Sequence, residues 1–173
     1  MTAPDRRVTV VLALGSNLGD RLGNLQRGLD ALCAGPGLEA VAVSPVYETA
    51  PAGGPAQPDY LNAVLVAATA LPARSVLGRG QAAERALHRV RTEHWGPRTL
   101  DVDVIVYDAE VSDDPELTLP HPRAHERAFV LAPWYDVDAG AVLPGRGRVA
   151  DLLATVDTAG IRLRRDVRLR IPA

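Results

Sequence analysis

The residues best suited to chemistry lie in one run, His94-Trp95-Gly96-Pro97-Arg98-Thr99-Leu100-Asp101-Val102-Asp103-Val104-Ile105. If the chain from Leu100 to Tyr107 is a strand, its side chains alternate. Asp101 and Asp103 then share one face, while Leu100, Val102, Val104 and Val106 share the other. Two strand rises put the carboxylates about 7 Å apart. That spacing suits one or two hard cations; magnesium takes one or two carboxylates and fills its other positions with water and substrate phosphates. The pair also reads as solvent-facing residues of an amphipathic strand. Aspartate is a poor strand former, however, and two of them behind a Trp-Gly-Pro-Arg turn weight the reading toward a site.

A phosphate site needs further cations. Arg89, Arg91 and Arg98 precede the two aspartates, and Arg123 and Arg127 follow His121. The planar guanidinium fork matches phosphate oxygens, and its charge does not titrate away. Lysine is absent and arginine carries the whole basic complement of 19, so no single arginine weighs much; Arg89, Arg91, Arg98 and Arg127 count only as a group. Gln81, Glu84, His88 and Arg91 recur at spacings of three and four, a polar helix stripe that is either solvated or within reach of a nucleotide. Aromatic residues make up 4% of the chain. Tyr60 beside Asn62, Trp95 in the turn and Phe129 after Arg127 either pack the core or stack on a flat heterocycle whose edge an amide reads. No P-loop, dinucleotide-binding glycine motif or nucleophile elbow is present, and His88, His94, His121 and His125 lack zinc-ligand spacing. A nucleotide site here rests on metal and arginine.

The elements that must position these residues follow from periodicity. Val8 to Leu14 is a short β-branched run bounded by Gly15, a buried strand. Leu22, Leu25, Leu29 and Leu32 make one helix face, ended by Gly35-Pro36-Gly37. Leu38 to Tyr47 predicts a second strand, and Glu48 to Asp59 a loop rich in proline and glycine. Leu61 to Thr69 predicts a third strand. Pro72 opens a second helix, whose core face is Val76, Gly80, Ala83, Leu87 and Val90. Leu100 to Tyr107 closes a β-α-β-β-α-β order, the signature of an α+β, ferredoxin-like sandwich with a mainly antiparallel sheet. Beyond it come added C-terminal elements: a short run at Leu117 to Leu119, a helix within Arg123 to Tyr135 broken at Pro133, a helix from Val149 to Val156, and a strand over Ile161 to Ile171 with one solvated arginine face.

With 173 residues, 47% of them hydrophobic and 23% charged, residues 1–173 read as one globular domain. The net charge of -2 gives no general attraction to nucleic acid or to an anionic membrane. Cys33, the sole cysteine, sits in an apolar helical pattern and reads as a small buried hydrophobe, consistent with a cytoplasmic setting. The apolar run near the N-terminus leads into Gly-Ser-Asn and predicts a strand, neither a signal peptide nor a membrane span.

The chain resembles the 6-hydroxymethyl-7,8-dihydropterin pyrophosphokinases over nearly its whole length. The resemblance is carried by Gly15-Ser16-Asn17-Leu18-Gly19, Thr49-Ala50-Pro51, Gln57-Pro58-Asp59-Tyr60-Leu61-Asn62, the run from Trp95 to Asp103, and Pro120-His121-Pro122-Arg123 with Glu126-Arg127-Ala128-Phe129. It implies a magnesium-dependent enzyme of folate biosynthesis that moves a diphosphate from ATP to the hydroxymethyl group of a reduced pterin, releasing AMP. It also implies roles. Asp101 and Asp103 would hold two magnesium ions; Arg89, Arg98 and Arg127 would contact phosphate. Gln81, Glu84, Arg91, Trp95, Thr118 and His121 would line the ATP site. Tyr60 and Phe129 would sandwich the pterin, with Asn62 and the chain at Thr49, Pro51 and Ala52 reading its edge. A monomer acting on small molecules is expected. His94 and Glu116 stand where many members carry basic residues. The alternatives are a non-catalytic pterin- or nucleotide-binding module and another phosphotransferase on the same sandwich.

Overall fold

Residues 6–51, 56–87 and 99–172 are described by the computed structural model of the chain. The apolar run after Arg7 forms β1 (Val8–Ser16), which lies between β4 (Tyr60–Thr69) and β5 (Asp101–Tyr107) and is antiparallel to both. Helix α1 (Arg21–Cys33) starts where the Asp20 carboxylate accepts the Gly23 N–H at 3.0 Å, the usual satisfaction of a first-turn donor. Its buried residues are Asn24, Leu25, Gly28, Leu29 and Leu32; of the four leucines on the predicted face, Leu22 is only partly buried. Helix α2 (Ala73–Ala86) follows Pro72 and buries Val76, Gly80 and Ala83. Both helices cover one face of the sheet. At Gly28 a Cβ would meet Leu100 at 2.9 Å, and at Gly80 it would meet Val102 at 3.0 Å. Those two glycines let the helices seat directly on the chain that carries the aspartates.

The strand predicted from Leu38 to Tyr47 is two strands, β2 (Leu38–Val43) and β3 (Val46–Thr49), both paired with β4. Pro45 cannot donate to a ladder. Ser44 fills the gap: its N–H donates to Val64 O at 2.9 Å, and its hydroxyl accepts the Val64 N–H at 2.8 Å. Glu48 and Thr49 therefore belong to a strand rather than to the predicted loop. The main sheet runs β10–β3–β4–β1–β5, with β10 (Ile161–Arg164) at one edge. This is the expected α+β, ferredoxin-like arrangement with a mainly antiparallel sheet.

Three further expectations change. The strand over Ile161 to Ile171 ends at Arg164, where the Arg164 guanidinium closes a turn on Asp166 at 2.7 Å. Beyond it the Gln26 amide bonds the Arg170 backbone in both directions, at 2.8 and 3.0 Å, and so holds the chain end to α1. Helix α3 (Ala128–Val137) runs through Pro133 instead of breaking there. A helix-interior proline costs about 3 kcal/mol, but Val130, Leu131 and Trp134 are buried against Val64, Val66 and Val11, and each such side chain contributes roughly 1.5–3 kcal/mol. Packing outweighs the lost bond. The remaining helix, α4 (Val149–Leu153), is shorter than predicted. A 3-10 turn at Ala124–Glu126, a hairpin of β6 (Ser112–Asp114) and β7 (Leu117–Leu119) and a smaller one of β8 (Val142–Leu143) and β9 (Gly147–Arg148) complete the described elements.

Candidate active site

Strand alternation sorts the sheet into two faces. Val10, Leu12, Leu14, Leu61, Ala63, Leu65, Val102 and Val104 pack with α1 and α2 in one core. Val11, Val64, Val66, Ile105 and Val106 pack with α3 in another. The registers Gly15↔Asn62, Gly15↔Asp101, Ala13↔Asp103, Tyr47↔Asn62 and Thr49↔Tyr60 put Tyr47, Thr49, Tyr60, Asn62, Asp101 and Asp103 on the α3 face. Directly opposed residues of an antiparallel pair point the same way. Helix α3 covers the Val64–Val66 end of this face; the polar residues stand at the other.

The alternation predicted for β5 holds through Val104 and then fails. A register shift lets Val11 face Val106 and Leu12 face Val104, leaving Ile105 as the extra residue. Val106 therefore joins the α3 core instead of sharing a face with Val102. Such bulges re-aim a strand beside a site. Here the Ile105 carbonyl accepts the His121 N–H at 2.8 Å, which fixes the segment bearing His121 against the aspartate strand.

Asp103 is half-exposed, at 47% of its side chain, and Arg127 Nη1 lies 3.9 Å from its Oδ2. That pair is too long for a hydrogen bond, so the carboxylate keeps lone pairs for another ligand. Burial lowers the Arg127 pKa while the charge of Asp103 raises it. His121 is held below its ordinary 6.5, first by burial and then by Arg127 and Arg123, with Asp103 opposing. Its Nδ1 accepts the Arg123 N–H at 3.2 Å, so the neutral ring carries its proton on Nε2. Glu84 reaches from α2 to the strand, where its Oε2 accepts the Val102 N–H at 3.0 Å, between the two aspartates.

Among the described residues, no cluster of three or more His, Cys, Asp or Glu side chains could hold a metal by itself. Two carboxylates on one strand face do not make an all-protein cage. The donor set instead fits a hard cation that brings its own phosphate and water ligands, as magnesium does.

On the other side of β1, the Asn62 amide is 6% exposed and donates from Nδ2 to Thr49 Oγ1 at 2.7 Å, which fixes its orientation. Pro51 and Tyr60 are half-buried. Phe129 packs at the edge of the α3 core, and the Arg127 guanidinium lies 5.5 Å from its ring centroid, within cation–π range. Arg127 thus touches both halves of the face.

The remaining expectations fall elsewhere. Gln81 is exposed on α2, one turn before Glu84. The Thr118 hydroxyl donates to Asp114 O at 3.0 Å inside the β6–β7 hairpin. Glu116 pairs with Arg74 at 3.2 Å and ties that hairpin to α2. Ala52, Arg89, Arg91, Trp95 and Arg98 lie outside the described residues, as do His88, Val90 and His94. Cys33 is half-buried and burial raises its thiol pKa, which leaves a protonated, poorly nucleophilic thiol.

Three supports escaped the sequence reading. Asn17, 1% exposed, donates from Nδ2 to Gln57 Oε1 at 2.8 Å and to Pro58 O at 3.0 Å, pinning the entry to β4. Glu48, 8% exposed, pairs with Arg21 at 2.6 Å, with Arg164 at 3.4 Å and with Arg162, and Arg21 also donates to Asp59 O at 3.0 Å. Arg162 and Arg164, expected on a solvated face, thus hold β10 to β3. The third support is the β5 bulge. Only the Gly-Ser-Asn and Gln-Pro-Asp motifs hinted at any of these.

A family profile described as 7,8-dihydro-6-hydroxymethylpterin-pyrophosphokinase matches residues 11–139. A 2-amino-4-hydroxy-6-hydroxymethyldihydropteridine pyrophosphokinase of Mycobacterium tuberculosis is 47% identical over 164 residues, covering 87% of this chain and 85% of that protein. A protein of the same name from Methylorubrum extorquens is 40% identical over 150 residues, covering 87% and 94%. Among solved structures, wild-type Plasmodium falciparum HPPK-DHPS with pteroate aligns with a TM-score of 0.69 at 11% identity, covering 86% of this chain and 44% of that one. At that identity the last likeness shows the fold alone, and this chain spans less than half of the longer protein.

Proposed function

The chain belongs to the 7,8-dihydro-6-hydroxymethylpterin-pyrophosphokinase family, and from that premise we propose how its sheet face performs the transfer of pyrophosphate from ATP to hydroxymethyldihydropterin in folate biosynthesis. The observation that carries the reading is the common face. Asp101, Asp103 and Arg127 stand on one side of β1, and Thr49, Tyr60 and Asn62 stand on the other.

Asp101 and Asp103 would hold magnesium, two ions in the full complex, supplying charge neutralisation of the ATP phosphates. Around them the chain's own residues position and exclude. Tyr60 and Phe129 stack the pterin ring, while the oriented Asn62 amide and the chain at Thr49, Pro51 and Ala52 read its edge. Arg127, with Arg89 and Arg98, takes phosphate oxygens. His121 donates from Nε2 toward the nucleotide, whose site Gln81, Glu84, Arg91, Trp95 and Thr118 complete; Glu84 also steadies the strand between the aspartates. The hydroxymethyl oxygen attacks the β-phosphorus in line and AMP departs, so catalysis consists of positioning and electrostatic stabilisation without a covalent intermediate. We read residues 1–173 as one domain, a cytoplasmic monomer that engages small molecules rather than nucleic acid or membrane. A net charge of -2 supports that reading. Among the described residues no helix is long and apolar enough to cross a membrane.

The test is to incubate the protein with ATP, magnesium and 6-hydroxymethyl-7,8-dihydropterin and to identify the nucleotide product by mass spectrometry. Pterin-dependent AMP, lost with chelator and restored by magnesium, is expected. ADP, or nucleotide release indifferent to pterin, would overturn the proposal.

A further inference from the structure

Of the Gly15-Ser16-Asn17 landmark, two residues have visible tasks. Asn17 holds the entry to β4, and the Ser16 hydroxyl accepts from the buried Asn24 amide at 3.2 Å. Gly15 has no such bond, yet its place is distinctive. It lies opposite Asn62 on β4 and opposite Asp101 on β5, at the junction of the two halves of the polar face. A Cβ at Gly15 would sit 2.9 Å from Asn62 Oδ1 and 3.3 Å from the nearest Tyr60 ring carbon. A real Cβ almost never approaches a neighbour that closely, so the amide or the ring would have to shift. The amide has little freedom to do so, because it is buried and its Nδ2 is held by Thr49 Oγ1 at 2.7 Å. Turning it aside breaks that bond and misplaces both of its recognition atoms. The backbone gives no competing reason for glycine, since Gly15 is not among the residues with positive φ.

We propose that Gly15 is a positioning residue for pterin recognition: its missing side chain leaves the room in which the Asn62 amide and the Tyr60 ring take their binding pose. The inference rests on the assignment of Asn62 and Tyr60 to the pterin site. Gly15→Ala should raise the KM for pterin roughly five- to hundredfold, the range expected of overpacking a tight contact. The KM for ATP should stay within about twofold, because the nearest atoms that the Cβ would meet belong to Asn62 and Tyr60, not to Asp101 opposite it on β5. A merely structural role would affect both substrates and the melting temperature together.

Gly15→Ala is measured beside Asn62→Ala and the double variant. Because the collision is chiefly with Asn62 Oδ1, the double variant should bind pterin no worse than Asn62→Ala alone. Should Gly15→Ala lose its fold, the double variant must regain it. An unchanged pterin KM in Gly15→Ala, or equal losses for both substrates, or a penalty that persists in full once Asn62 is truncated, would overturn the inference. These outcomes are read against a wild-type control. A wild type without pterin-dependent AMP would sink the functional assignment, whereas an active wild type with an indifferent Gly15→Ala sinks only this proposal.

Discussion

The two faces of the sheet are built from the same strands and divide the work between them. Leu12, Leu65 and Val10 are fully buried beneath α1 and α2, and the buried polar residues of that face, Ser16, Glu48 and Thr69, stand at or next to strand ends. One residue along each strand, the opposite face is apolar only where α3 covers it and polar beyond, where Asn62, Thr49, Asp101 and Asp103 stand. The first face stabilises, and the second is the one we propose reacts. The second can hold polar groups because the first supplies the burial energy, and because bonds from outside the sheet, from Glu84, Asn17 and His121, steady its rim.

That division predicts separable damage. The largest effect should come from Leu65→Ala on the closed face, with a stability loss of about 2–5 kcal/mol by denaturant melt and unchanged turnover per folded molecule; impaired turnover at full stability would blur the two faces. On the open face, Tyr60→Ala should raise the pterin KM roughly 10- to 100-fold, as the loss of ring stacking does for a nucleobase, with the ATP KM and the melting temperature unmoved. Equal losses for both substrates would contradict the stacking role.

A smaller effect sharpens the comparison at the sheet edge. Glu48 sits on the closed side of β3, and hydrogen bonding from Arg21 holds its carboxyl below its ordinary 4.5, assisted by the charges of Arg164 and Arg162 and opposed by burial. A carboxylate with a depressed folded pKa contributes stability above its unfolded value and loses it as pH falls through the folded one. Glu48→Gln should therefore be less stable than wild type at pH 7, and the gap should close as pH drops below 4.5. A gap that is constant with pH would mean that the cluster contributes by packing alone.

The closed face was legible because periodicity reports burial. The leucine spacing of α1 and the apolar run from Leu61 to Thr69 predict their elements to within a residue or two. The candidate site stands out in the sequence where chemistry departs from propensity, at two aspartates inside a strand. What stayed hidden depends on one long-range contact each. Ser44 repairs the ladder beside Pro45 only because Val64 lies opposite. The Ile105 bulge exists against β1 and His121, and no local pattern marks it. Arg162 and Arg164 look solvated until Glu48, more than a hundred residues earlier in sequence, is placed next to them. Pro133 looks like a breaker until Val130 and Trp134 are buried around it.

In the proposed function, the open face has a pterin half that binds and an aspartate half that reacts. The most direct test is Asp103→Asn, a near-isosteric change, assayed for pterin binding by equilibrium fluorescence and for AMP formation. Pterin binding close to wild type, with turnover reduced roughly a hundred- to a thousandfold, is the predicted result. Wild-type turnover in Asp103→Asn would contradict it.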